Sequence, residues 1–175
     1  MAIVLDIIGS MVIRGALVFV MLNMTVTLNS ALYDRTAVAN AKVNLGVTVE
    51  VMYSDIRAAV SFTTPLDSMT MSFTKIDTID GASQAVSLYT VLDSASGLWK
   101  LYRNVGGNLM VIGNNLQGIS FVYRTANRAV TTDPAQVKSV NATLVAVVEG
   151  ITESDGISGV EQSVTNELKV FPLNL

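Results

Sequence analysis

No proline occurs in the first sixty residues; the first is Pro65, and only Gly9, Gly15 and Gly46 interrupt an otherwise helix-compatible run. An isolated glycine weakens a helix by ~1 kcal/mol without ending it. The run opens as MAIVLDIIGSMVIRGALVFVML, in which nineteen of 22 residues are apolar or glycine and the exceptions are Asp6, Ser10 and Arg14. As a helix it spans ~33 Å, enough to cross the hydrocarbon core of a bilayer. A charge at the bilayer centre costs ~2.5–3.5 kcal/mol on the insertion scale and less near an interface. Asp6 and Arg14 therefore set this segment apart from an ordinary span. No Lys or Arg precedes it, and neither a basic n-region nor a clear small-residue cleavage site is visible. Two readings follow. One is a membrane span carrying two awkward charges. The other is a helix that is membrane-like for part of its life and is then buried among copies of itself, where both charges find partners.

The helical spacing continues beyond Leu22. Leu28, Ala31, Arg35, Val38, Ala41, Leu45, Val49, Met52, Ile56 and Ala59 follow steps of three or four, and only Arg35 breaks the apolar stripe. Such spacing marks an amphipathic helix. The pattern predicts one helix over residues 2 to about 60, ~90 Å long, which exceeds any small domain. Its first part, residues 1–27, should protrude, and the stripe of residues 28–60 should lie on something, chiefly through Leu45, Val49, Met52 and Ile56.

After Pro65 the period changes to two. Met69, Met71 and Phe73 alternate with Thr70, Ser72 and Thr74. Further strand signals run over Ala85–Leu92, Gly97–Val105, Leu109–Ile112, Gly118–Thr125, Val137–Gly150 and Val164–Phe171, with turn residues such as Gly106-Gly107-Asn108 and Gly113-Asn114-Asn115 between them. With no helices between the strands, an antiparallel meander is expected. A sheet apolar on one face must cover it, and the stripe of the long helix matches. The expected fold is α+β: a lollipop whose head, residues 28–175, combines the amphipathic helix with a β domain over 66–175.

A bare apolar helix, continued as an amphipathic one and capped by an antiparallel β domain, resembles type IV pilins and the pseudopilins of type II secretion. The likeness is closest to the larger minor pilins and minor pseudopilins. It rests on an acidic-aliphatic-basic motif, Ser54-Asp55-Ile56-Arg57-Ala58-Ala59, and on strands resembling Met69–Thr74 and Val86–Leu92. It also rests on the segment Gly97-Leu98-Trp99-Lys100-Leu101-Tyr102-Arg103, on Leu116, Ile119, Phe121 and Tyr123, and on the closing Val137–Val148 strand and tail Leu168–Leu175. The resemblance implies a structural subunit that passes through the inner membrane into an extracellular filament. Its implied partners are copies of itself or other pilin-like subunits, with the membrane as its surroundings before assembly. Pilin precursors carry a short basic leader, cleaved so that an acid stands fifth in the mature chain. No such leader is seen here, but with Met1 removed Ala2 becomes the first residue and Asp6 the fifth. The resemblance implies pairing of that acid with a neighbour's terminal amine.

Arg14 has no counterpart in the usual pilin pattern and offers Asp6 a second partner. The two lie eight residues apart, ~12 Å along a helix, whereas ion pairs within a helix need spacings of three or four. A copy displaced ~12 Å along the bundle would bring them together between chains. Unpaired buried charges are costly and a buried pair is roughly neutral, so such a pair sets register more than it adds stability.

Composition disfavours catalysis. The chain has no His and no Cys, so imidazole bases, thiolate nucleophiles and the usual zinc and haem sites are absent. A hydrolase would need a Ser-Lys dyad or a carboxylate pair, and no spacing picks one out. The net charge of -3 and pI near 4.8 offer no basic surface for nucleic acid. Glu153, Asp155, Gly156 and Gly159 supply too few oxygen ligands in register for a calcium loop. Gly106-Gly107 reads as a hairpin turn, since no helix follows to cradle a phosphate. No enzyme activity, cofactor, metal or small-molecule substrate is expected. The expected function is that of a filament subunit assembling through Ala2, Asp6 and Arg14 in a helix bundle. The alternative is a single-pass anchored, extracytoplasmic binding domain.

Overall fold

The computed structural model describes residues 2–77, 81–148 and 162–173, with the side chains of 2–8 and 162 outside the description. One helix, α1, runs unbroken over Ala2–Arg57, ~84 Å. Seven strands follow: β1 Ala59–Leu66, β2 Thr70–Ile76, β3 Ser83–Asp93, β4 Leu98–Val105, β5 Asn108–Arg124, β6 Ser139–Val148 and β7 Gln162–Val170. They form one sheet in sequence order, every neighbour antiparallel. This is the expected α+β class, with the C-terminal half of α1 packed on the sheet.

The sheet curls. Phe62 on β1 meets Tyr123 on β5 edge-on at 6.4 Å and Phe73 on β2 at 5.9 Å. The Phe121 amide donates to the Ser68 carbonyl, and the buried Tyr123 hydroxyl donates to the Thr70 carbonyl at 2.8 Å. The β1–β2 turn thus folds back across the sheet onto β5. The enclosed face carries Met71, Phe73, Val86, Leu88, Leu101, Leu116, Phe121, Val140, Leu144 and Val170, all buried, with the period of two that a one-sided sheet requires.

Two expectations are corrected. The helix ends at Arg57 and not near residue 60, because Ala59 already opens β1. The β-branched residues Val60, Thr63 and Thr64 favour the extended chain, and Pro65 is tolerated because β1 is an edge strand. The Arg57 carbonyl, orphaned at the helix end, accepts from the Leu173 amide at 3.1 Å. The second correction is Gly113-Asn114-Asn115, which is no turn: β5 passes straight through it. A Cβ on Gly113 would lie 3.3 Å from both Thr48 Cγ2 and Leu116 Cδ1, so glycine there admits the helix. Asn115 takes φ 54, and the pairing register shifts beside it, the mark of a bulge. Glu153, Asp155, Gly156 and Gly159 lie outside the described residues.

Met52 is fully buried in the seam between α1 and the sheet. Met52→Ala should cost ~2–5 kcal/mol, read as a lower urea midpoint. A loss under ~0.5 kcal/mol would mean the seam relaxes around the change.

Candidate functional site

The candidate site is the helix itself: what its free part exposes, and how its packed part is held. From residue 9 to Thr36 nearly every side chain is exposed, and burial against the head begins at Ala37 and Val38. Leu28, Ala31 and Arg35, the first members of the stripe, stay exposed. Leu45, Met52 and Ile56 are buried, and the half-buried Val49 packs against the core beside them.

The exposed part has no polar face. The large apolar residues from Met11 to Leu22 are each 52–71% exposed, and Leu17, Val18, Phe19, Val20, Met21 and Leu22 are consecutive. At 100° per residue, six in a row point in every direction around the axis. A helix that is apolar all round needs burial all round, in a bilayer or among other helices. Among the described residues, α1 is the one helix long and apolar enough to cross a membrane. Arg14 projects from this surface, exposed. Ala2 and Asp6 lie on the same continuous helix, and their side chains fall outside the description. The unbroken helix keeps positions 6 and 14 ~12 Å apart in rise.

The packed part is held by a charge cluster that apolar spacing does not reveal. Asp55, in the last two turns of α1, has a side chain only 3% exposed. Lys75 on β2 reaches its Oδ1 at 2.6 Å, and Arg103 on β4 grips both oxygens, Nη2 on Oδ1 at 2.9 Å and Nε on Oδ2. Burial alone would raise the carboxyl's pKa, but the hydrogen bonds and charges of Arg103 and Lys75 outweigh it and hold it below the usual carboxylate range. The same contact raises Arg103. Alternation places Leu101 and Arg103 inward on β4 and Tyr102 outward, where it stacks on Tyr89 at 5.6 Å. Arg57, the basic end of the motif, does not join the cluster. Its guanidinium lies over the Tyr53 ring at 5.6 Å, in solvent.

Where α1 leaves the head, a cleft of about 450 Å³ is lined by Asn40, Asn44, Thr48, Gly113, Asn114 and Val148 among others. The Thr48 hydroxyl, buried, donates to the Ile112 carbonyl, a second polar tie between helix and sheet. No group of three acidic side chains among the described residues is placed to hold a metal ion.

The chain shares with pilin-like proteins a long apolar N-terminal helix followed by an antiparallel sheet. No family model matches the sequence, and no curated protein matches it.

Proposed function

We propose that the protein is a structural subunit of a type IV pilus-like or pseudopilus-like extracellular filament, assembled by bundling of its N-terminal helix. The observation that carries the reading is the all-round apolar exposure of α1 from Leu17 to Leu22 on a helix that runs unbroken into the head. The subunit waits in the inner membrane, where lipid covers this surface, and copies of itself or other pilin-like subunits cover it in the filament. Asp6 and Arg14 are tolerated because another chain supplies the partner. The head, tied to the helix by Asp55, is displayed outside. Negative-stain microscopy of material sheared from cells, with mass spectrometry of the subunit's N-terminus, tests this. Filaments containing the chain are the expected result, and their absence under expression leaves the membrane-anchored binding domain. That second reading is favoured by the length of the apolar segment alone.

Removal of residues 1–27 should leave a soluble, folded head, because among the described residues the sustained burial of α1 begins at Ala37. A fragment that aggregates, or lacks strand signal by circular dichroism, would contradict that boundary.

A further inference from the structure

Four of the chain's eleven Lys and Arg residues line one cleft of about 500 Å³: Arg124, Arg128, Lys138 and Lys169, with Asn141 and Phe171 beside them. Among the described residues no Asp or Glu lines it. In a chain of net charge -3 this concentration runs against composition. Lys75, Lys100 and Arg103 each hold a carboxylate elsewhere in the head, whereas none of these four does among the described residues. A cleft lined by one sign of charge focuses its field on an incoming ion of the other sign.

Three segments bring the cations together. After β5 the chain turns tightly: the Thr125 amide donates to the Ala129 carbonyl and the Arg128 amide to the Thr125 carbonyl, both at 2.9 Å. Arg128 takes φ 65 in that turn, a backbone conformation that recurs in residues held at ligand sites. Arg124 Nη1 donates to the Arg128 carbonyl at 2.9 Å, which sets the two arginines side by side. The Lys138 amide, just before β6, donates to the Arg124 carbonyl at 2.8 Å. Lys169 on β7 pairs with Asn141 on β6, and its ammonium sits 5.0 Å from the Phe171 ring centre. Asn141 narrows the class of anion. Its side-chain oxygen is buried with no hydrogen-bond partner, whereas buried acceptors ordinarily have one. A bare anion only accepts hydrogen bonds and leaves that oxygen orphaned; a hydroxylated one donates to it. Phe171 adds an exposed ring at the rim, an apolar surface that the C–H face of a sugar ring can cover. Binding of a nucleic-acid strand calls for a groove of cations along the backbone and successive aromatic platforms for the bases. Here the cations crowd one cleft, of a size that suits a small ligand.

We propose that this cleft binds an acidic saccharide, a hydroxylated sugar unit carrying carboxylate or phosphate groups. The arginines and lysines take the charged groups through charge-assisted hydrogen bonds, and a sugar hydroxyl donates to Asn141 Oδ1. The inference goes beyond the filament reading and does not depend on it. Ser139 and Asn141 stand at the start of β6, whose other end, Val148, lines the cleft where α1 leaves the head. The basic cleft therefore lies at the far end of the head from the free helix. A filament subunit and a lone membrane anchor both leave that end outside the membrane.

The test is calorimetric titration of the full chain, in a polyoxyethylene detergent with EDTA present. The probes are trigalacturonate, glucose 6-phosphate, neutral maltotriose, citrate and an oligodeoxynucleotide. Trigalacturonate or glucose 6-phosphate should bind at least about tenfold more tightly than maltotriose and citrate, and the one that binds tells carboxylate from phosphate. Raising NaCl from ~0.05 to ~0.5 M should weaken that binding at least about tenfold. Arg128→Glu with Lys169→Glu should weaken it by a similar factor. Asn141→Leu should weaken it about threefold or more and leave the urea midpoint unchanged or higher, since it removes an orphaned acceptor. No binding of either acidic sugar overturns the proposal, as does binding indifferent to the charge reversal in a variant whose urea midpoint shows it folded. Unchanged affinity in folded Asn141→Leu removes the hydroxyl contact and the saccharide with it. Citrate bound as tightly as the sugars makes the cleft a site for charge alone, and an oligodeoxynucleotide bound more tightly makes it a nucleic-acid site. Binding that appears only after Glu149, Glu153, Asp155 and Glu161 are changed to Gln means that the chain's own acids fill the cleft. Each of those results overturns the proposal, and none of them bears on whether filaments form.

Discussion

Asp55→Ala should destabilise the head by about 3–5 kcal/mol, the usual cost of removing one partner from a buried charge cluster. The change leaves Arg103 and Lys75, 19% and 16% exposed, facing a cavity without their anion. Arg103→Met should cost more than Lys75→Met, since Arg103 grips both oxygens and Lys75 one. Replacing all three by apolar residues of similar size should recover most of the loss. The cluster also sets the acid limit of stability. The Asp55 carboxyl titrates lower folded than unfolded, so the folded state binds fewer protons. Its contribution is complete above the unfolded value of ~3.9 and fades as pH falls through the lower folded value. Wild type should lose stability below pH ~4, and Asp55→Ala should lose less over the same interval. Urea midpoints of the fragment 28–175 between neutral and acid pH check both statements. A loss under ~1 kcal/mol at neutral pH would show that apolar packing alone fastens the helix.

The helix and the sheet were legible because each announces itself by period. Apolar residues three and four apart from Val38 to Ile56 face the sheet, and the alternation of Ile119, Phe121 and Tyr123 places all three in the core. What period could not show was polar burial. Thr48 and Asp55 lie on the buried face, yet their partners stand 64, 20 and 48 residues away, and no local pattern links such positions. The motif Ser54–Ala59 contains Asp55, but nothing in it points to Arg103 and Lys75 as its partners. The helix end was misplaced because Ala59 fits the stripe as well as the strand; the β-branched residues after it were the available signal. Gly113 was misread because a glycine that opens a turn and a glycine that admits a neighbouring helix look alike in sequence. The surface of residues 11–22 is the opposite case. Its exposure follows from sequence, since no single domain face can bury a helix apolar on every side.

The pairing of Asp6 and Arg14 decides how that surface assembles. Both charges interrupt an otherwise apolar segment, and the unbroken helix keeps them too far apart to meet within one chain. In a bundle, a stagger of ~12 Å joining Asp6 of one copy to Arg14 of the next removes two unpaired buried charges at once. Asp6→Ala and Arg14→Ala should therefore each reduce filament yield by about a hundredfold or more, the equivalent of ~3–5 kcal/mol per contact. Asp6→Ala with Arg14→Leu should recover part of the yield, as should the exchange Asp6→Arg with Arg14→Asp. Head folding should be unchanged in all of them, because neither residue lies in the head. Pairing of the acid with a neighbour's terminal amine gives another pattern: Asp6→Ala fails, Arg14→Ala is mild, and the double change rescues nothing. Sheared yield across these variants separates the two arrangements by rescue and not by loss. Normal yield from both single variants would remove the charges from assembly altogether, since a helix that leaves two charges unpaired among its neighbours at no cost is not buried by them.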